Sequence, residues 1–414
     1  MVAAHHLREK TLPQLLTDSP ASLGGPSWLV ERREAERARF DKLGLPDASA
    51  EVWRYSPIGD LDLDRFSSAR ASSATLALPG SLLSLHVGAG QLEGLPQAPK
   101  GIALSTLSEH PEGPELASSA LGDPDDAIVA LNGAQLTDGL VIDVARGARF
   151  DAPVVIVHAA TGGASFPRTI IRLGTGAVAS VIEVFLGGDN QTLSVPVSEL
   201  RVGDGAVLSY GSIQSLARGS WHLATVAATV GRDATVSQLT AGLGATYDRI
   251  RSDVVLEGQG ASSVLRSTYL GSEDQIHDLR TLQDHAAPRT MCDLLCKGAV
   301  DDEARSIYTG VIRVRHGAIK ADAHQTNHNL VLSPHARADS VPNLEIEEND
   351  VRCSHASSVG PLDEDQRYYL ESRGILPAAA ESLLVRGFFR DLLDRSALSG
   401  ATGFVRDEIE ERLR

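Results

Sequence analysis

A right-handed parallel β-helix flanked by N-terminal and C-terminal α-helical regions is the fold this 414-residue sequence predicts, on three observations. A four-residue turn recurs as Gly174-Thr-Gly-Ala177, Gly203-Asp-Gly-Ala206, Gly231-Arg-Asp-Ala234 and Gly258-Gln-Gly-Ala261, its leading glycines 29, 28 and 27 residues apart. Short runs of Val, Ile, Leu and Thr lie between the turns with the period of two that marks a strand. Helical spacing appears mainly at the two ends. A fixed period in the twenties signals a solenoid, whose repeats bury their apolar faces by stacking on one another. A β-sandwich with similar turns is the competing architecture, but sandwiches rarely keep one register through four turns.

Residues 1–75 read as helix and loop. Ser27-Trp28-Leu29-Val30 opens a charged stretch that closes at Leu43-Gly44-Leu45-Pro46. Leu29, Phe40 and Leu43 share a face, Gly44 suits the C′ position, and Pro46 blocks continuation, so a surface helix with a thin apolar stripe is expected. Residues 108–126, rich in Pro, Gly and acids, read as a loop or frayed helix. The β-helix core is assigned to 76–360, with its strand texture established from about residue 127: Gly139 to Val144, Ala152 to Val157, Arg168 to Leu173. Glycine is expected in the repeated turn because it reaches φ > 0 without penalty and lets a strand leave one sheet for the next, and the alanine after it is small enough to fit where coils stack closely. Looser copies follow at Asp302-Glu-Ala304, His316-Gly-Ala318 and Pro334-His-Ala336. Residues 361–414 return to helix. Asp363 and Gln366 suit a capping box, Gly374 a C′ glycine and Pro377 the first position of the next helix. Leu383, Leu384, Phe388, Leu392 and Leu393 recur there at helical spacing, and a last charged helix runs from Phe404 to Leu413. That apolar stripe either packs on the β-body or docks a partner.

Composition narrows the function. With 38 basic and 54 acidic residues the net charge is −16, a field that repels phosphate backbones and anionic lipid, so neither nucleic acid nor membrane is expected as a partner. The longest apolar runs, such as Val154 to Val157, fall far short of the ~20 residues of a membrane span. Met1 to His6 lacks the basic and apolar regions of a secretory leader. Three cysteines are too few for a disulfide framework, and a cytoplasmic, reducing setting is expected.

Motifs exclude more. The chain has no G-x-x-x-x-G-K-[ST], no G-x-S-x-G elbow and no H-E-x-x-H. Its glycine turns lead into strands and not into helix N-termini, so they cannot cradle a pyrophosphate in the usual way, and no bound nucleotide is expected. Seven of the thirteen histidines lie between His277 and His355, in the same stretch as Cys292, Cys296 and Cys353. Cys292-x-x-x-Cys296 is not a zinc-ribbon spacing, and both thiols read as buried small hydrophobes. His324 and His328 share a face but lack an acid at ligand spacing. Cys353-Ser-His355 differs: on a strand, positions i and i+2 project from one face, where a thiolate and an imidazole could meet one ion. An iron–sulfur cluster usually takes about four protein ligands, so these two would make half a site. The alternative, a buried cysteine beside a satisfied histidine, stays open on spacing alone.

Several runs carry a family resemblance. They are Ala321-Asp-Ala-His-Gln-Thr-Asn-His-Asn-Leu-Val-Leu-Ser333, Ala336-Arg-Ala-Asp-Ser-Val-Pro-Asn-Leu-Glu-Ile346, Asp350-Val-Arg-Cys-Ser-His-Ala-Ser-Ser-Val-Gly360 and Leu362-Asp-Glu-Asp-Gln-Arg-Tyr-Tyr-Leu-Glu-Ser-Arg-Gly-Ile375. Trp28-Leu29, Arg32-Arg33, Phe40, Leu43 to Pro46 and Glu51-Val-Trp-Arg-Tyr55 add to them. Together they resemble the SufD family of the SUF iron–sulfur cluster assembly machinery, over essentially the whole chain. SufB-like chains place a cysteine where this one has Ala336, and Glu-His-Glu where it reads Cys353-Ser-His355-Ala356.

The resemblance implies a non-catalytic scaffold subunit. It implies pairing with a SufB-like subunit through the β-helix, and binding of the SufC-like ATPase by the C-terminal helices, here through Leu383, Leu384, Phe388 and Leu392. It further implies that His355, with Cys353 beside it, contributes to a transient site for iron or a nascent cluster at the SufB interface. A homodimer is the other possible assembly. Two other classes compete: a β-helix carbohydrate-active enzyme, for which 4% aromatics and scattered acids are poor material, and a purely structural solenoid.

Overall fold

The computed structural model describes residues 20–71, 76, 78–118, 126–188 and 192–413. The readings of Met1 to His6 and of the 119–125 part of the acidic loop lie outside the described residues.

From Leu83–Gly88 to Arg352–Gly360 the chain winds as a parallel β-solenoid, most successive long strands alternating between two sheets. One sheet runs from Leu83–Gly88 through Val154–Thr161, Val178–Gly187, Val207–Leu216, Thr235–Gly242, Ser262–Gly271, Met291–Val300 and Asp322–Val331 to Arg352–Gly360. The other runs from Leu140–Val144 through Arg168–Leu173, Val197–Val202, Trp221–Val230, Tyr247–Leu256, Ile276–His285 and Arg305–Val314 to Arg337–Ile346. Antiparallel pairing is confined to the N-terminal end, where Arg70–Ala71, Gln91–Leu92 and Ile102–Thr106 close the first coils.

The repeated turn is closed by a backbone bond from the alanine N–H to the leading carbonyl, as in Ala177 to Gly174 at 3.0 Å and Ala206 to Gly203 at 2.9 Å. The left-handed residue expected of the turn is present. The third position takes positive φ, at Gly176, Gly205, Asp233 and Gly260. The leading glycine is required for a different reason: a Cβ on Gly203 would lie 2.6 Å from the Leu173 carbonyl oxygen, and one on Gly258 2.0 Å from the Arg232 nitrogen. Coil stacking leaves no room for a methyl there. Gly258→Ala should therefore overpack the preceding coil and cost about 3 kcal/mol; an unchanged chemical-denaturation midpoint would refute this.

Ala177, Ala206, Ala234 and Ala261 are fully buried in the core between the sheets, with Ile142, Ile156, Leu208, Val236, Val254 and Ile312. The lumen also holds polar groups. The buried Glu183 carboxylate accepts hydrogen bonds from Thr169, Ser198 and Tyr210 and pairs with His158 Nε2 at 2.7 Å. His222 is fully buried with neither ring nitrogen hydrogen-bonded, and burial lowers its pKa to about 4; His285 is likewise held at about 4. Both values lie below the ordinary 6.5, so between pH 6.5 and 4 the unfolded chain binds more protons than the folded one. Stability should be intact above pH 6.5 and decline as pH falls through that window, by up to roughly 3 kcal/mol per group. Urea unfolding at pH 7 and 4.5 tests this, and His222→Phe should flatten the slope.

Among the described residues the α-helices are α1 (Ser27–Leu43), α2 (Gly113–Ser118), α3 (Ala127–Gln135), α4 (Glu364–Ser372), α5 (Pro377–Leu393) and α6 (Ser399–Arg412). After the strands Leu83–Gly88 and Ile102–Thr106, the strand texture expected from residue 127 resumes only at Leu140. Residues 127–135 form α3, buried along all but its last residue, because Asp126 caps the N–H groups of Ile128 and Val129 and the helix packs against α1. On α1, Leu29 and Phe40 are buried, and so are Arg33 and Glu36; Arg33 donates to the carbonyls of Gly24, Leu136 and Thr137. Polar burial of this kind thins an apolar stripe. Asp363 caps α4 as expected, accepting from the N–H of Asp365 and Gln366, but the Gln366 amide reaches the Asp363 carboxylate and not its backbone. Helix α6 starts at Ser399, five residues before the expected Phe404.

Candidate metal half-site at the open end

The far end of the solenoid has no cap among the described residues. Arg352–Gly360 pairs only with Asp322–Val331, and Arg337–Ile346 only with Arg305–Val314, so each terminal strand leaves one edge unpaired. Cys353 stands in register with Ala323, and His355 with Gln325. The two side chains share the inner face, their Cα atoms roughly 6.6 Å apart by strand rise. Cys353 is half-buried against the inter-sheet core, whereas His355 is exposed because no further coil covers it. Burial, and then the charge of Asp322, raise the Cys353 thiol above its ordinary pKa. Across the lumen Ser357 Oγ bonds Ser340 Oγ at 2.7 Å, tying the two terminal strands together, and Asn327 Nδ2 donates to the same hydroxyl. Among the described residues no three His, Cys, Asp or Glu side chains converge to hold a metal ion.

The other candidates lie elsewhere. Cys292 is two strands inward from Cys353 in the same column, with Ala323 between, and that spacing of roughly 9.6 Å is beyond disulfide reach. Its Sγ lies 3.2 Å from His285 Nε2, and burial pushes the thiol up to about 12, so the pair is neutral. Cys296 is fully buried and its pKa is also raised by burial. His324 and His328 do share a face, the outer one, where His324 Nδ1 bonds Ser354 Oγ at 2.6 Å and His328 Nδ1 bonds Ser358 Oγ at 2.5 Å. An acid does stand beside His324: Asp322 Oδ1 is 2.9 Å from its Nε2. The sequence reading allows the shared face on helix or strand but passes over Asp322, which the strand period of two places beside His324.

The C-terminal stripe divides between two faces. Leu392 is fully buried with Val385, Phe389 and Leu393 in a cluster that includes Leu239, Leu270 and Leu295 of the β-body. That corrects its assignment to a partner surface: the first sheet covers it in the chain alone. Leu383 is 47% exposed, Leu384 lies with Tyr369 and Leu370 along a shallow groove, and Phe388 is half-buried. Tyr368 (73% exposed), Tyr369 (57%) and Leu376 (75%) are exposed as well. Their signal in the sequence was an adjacent pair of tyrosines in an otherwise charged helix.

Residues 155–388 match the family model described as SUF system FeS cluster assembly, SufBD core domain. The chain belongs to the SufBD family. An iron–sulfur cluster assembly SufBD family protein of Mycobacterium tuberculosis is 30% identical over 384 residues, 90% of this chain and 88% of the relative. The iron–sulfur cluster assembly protein SufD of Escherichia coli is 28% identical over 387 residues, 90% of each chain. SufD of Bacillus subtilis is 30% identical over 293 residues, 69% of this chain and 67% of that one. The SufBD core match covers the strand bearing Cys353 and His355, all of α4 and most of α5. Membership in SufBD puts the chain in iron–sulfur cluster assembly. No helix among the described residues is long and apolar enough to cross a membrane.

Proposed function

We propose that this SufBD chain is a non-catalytic scaffold subunit whose open end pairs with a SufB-like chain. His355, with Cys353 beside it, supplies half of an inter-subunit site that holds iron or a nascent cluster as cargo. A SufC-like ATPase docks on the exposed face of α4 and α5. The observation that carries this reading is the uncapped end itself, with two unpaired strand edges and two soft donors on one face. Unpaired edges invite strand addition from a second polypeptide. Two donors fall short of the roughly four a cluster takes, so the missing ligands belong to whatever covers the end. The protonated Cys353 thiol binds iron only by releasing its proton, which ties loading to the arrival of the cation. Nucleotide hydrolysis falls to the partner because no phosphate-binding loop occurs in the sequence.

The test compares iron and acid-labile sulfide in the three-subunit complex with the isolated chain. The complex should carry cluster and the chain alone should not. A stoichiometric cluster held by this chain's own side chains would overturn the reading. A homodimer through the same edges would appear in sedimentation of the isolated chain.

A further inference from the structure

Lys297, one of five lysines in the chain, is almost buried on the outer face of Met291–Val300, beneath α5. Its Nζ donates to the Phe388 carbonyl at 3.1 Å and to Asp391 Oδ2 at 2.7 Å, and lies 4.8 Å from the Phe388 ring centre. A solvated lysine head would cost less entropy, so this placement is an anchor and not a surface charge. On the two following strands the same column continues: Lys297 stands in register with His328, and His328 with Ser358. His328 bonds Ser358 on the terminal strand, three residues from His355. Burial, followed by the Lys297 charge, lowers the His328 pKa while Asp391 opposes the shift, so all three groups belong to one electrostatic unit.

We infer that Lys297 and His328 are positioning residues that tie helix α5 to the terminal strand bearing Cys353 and His355. Leu384 lies one helical turn from Phe388 and two from Asp391, so a load on the exposed face of α5 acts on the rod that holds Lys297. From Lys297 the path to the open end is two strand spacings, roughly 9.6 Å, bridged by one side-chain hydrogen bond and the backbone ladder. The functional consequence rests on the docking and half-site roles proposed above; the mechanical tie does not.

Hydrogen exchange on the full isolated chain tests the tie without iron or partners. In Lys297→Met and in His328→Ala the ladder amides of residues 352–360 should exchange about tenfold faster, the factor for losing about 1.4 kcal/mol of hydrogen bonding. Strand Leu83–Gly88 should be unaffected, and Lys297→Arg should restore protection. Unchanged exchange at 352–360, or acceleration spread evenly along the solenoid, would overturn the inference. Should Lys297→Met fail to fold, Asp391→Asn, on the exposed side of the same bond, decides by the same measurement. Loss of cluster formation in a His355 variant bears on the half-site alone, so the two ideas fail separately.

Discussion

Replacing His355 with alanine should leave the complex with its partners intact while lowering acid-labile sulfide and iron by about tenfold or more, since even the loss of a group supporting a ligand costs 10–100-fold. The side chain is exposed at the end of the solenoid and supports no core contact, so its removal takes away a donor and little else. Thermal unfolding of the isolated chain should move by less than roughly 0.5 kcal/mol, the range for surface substitutions. Cys353→Ser is the informative companion. It removes sulfur from a half-buried site packed on the core and should lower both cluster content and, modestly, stability. Clusters forming at the normal rate in the His355→Ala complex would make the imidazole a spectator.

The second large effect separates the two faces of α5. Leu384→Asp places a carboxylate in the groove beside Tyr369 and Leu370 and should abolish ATPase-subunit binding, more than 100-fold by pull-down or titration, with little loss of fold. Leu392→Ala should do the reverse: it opens a cavity against the first sheet, costs about 2–5 kcal/mol and leaves the docking face in place. Deleting everything after Gly374 is a poorer experiment, because it strips α5 and α6 from Leu239, Leu270 and Leu295 and exposes a broad apolar face. Retained binding in Leu384→Asp, measured at native-like stability, would move the docking surface off this helix.

Much of this was legible in the chain itself. The turn repeat named the solenoid because each coil must present the same small residues at the same corner, and that demand recurs along the sequence. The Cys353-x-His355 pair was legible because strand period alone puts both side chains on one face. Other features were not. Residues 127–135 read as strand because the apolar run Ala127 to Leu131 has no period to separate a buried helix from a buried strand. The partners of Arg33, Lys297 and Glu183 lie between 9 and 104 residues away in sequence, mostly on other elements, and no local pattern announces them.

By itself the sequence determined the coil period, the helical ends and a thiol–imidazole pair on one strand face, all of which depend on residues within a turn or two of each other. Only the tertiary structure decided that the leading glycine of each corner answers to the preceding coil, that Leu392 faces inward while Leu384 faces out, and that the last coil is left open. The physical reason is that each of these turns on neighbours remote in sequence: the glycine corner and the open end on the adjacent coil, about 28 residues along the chain and about 4.8 Å away in space, and Leu392 on Leu239, Leu270 and Leu295 of the β-body.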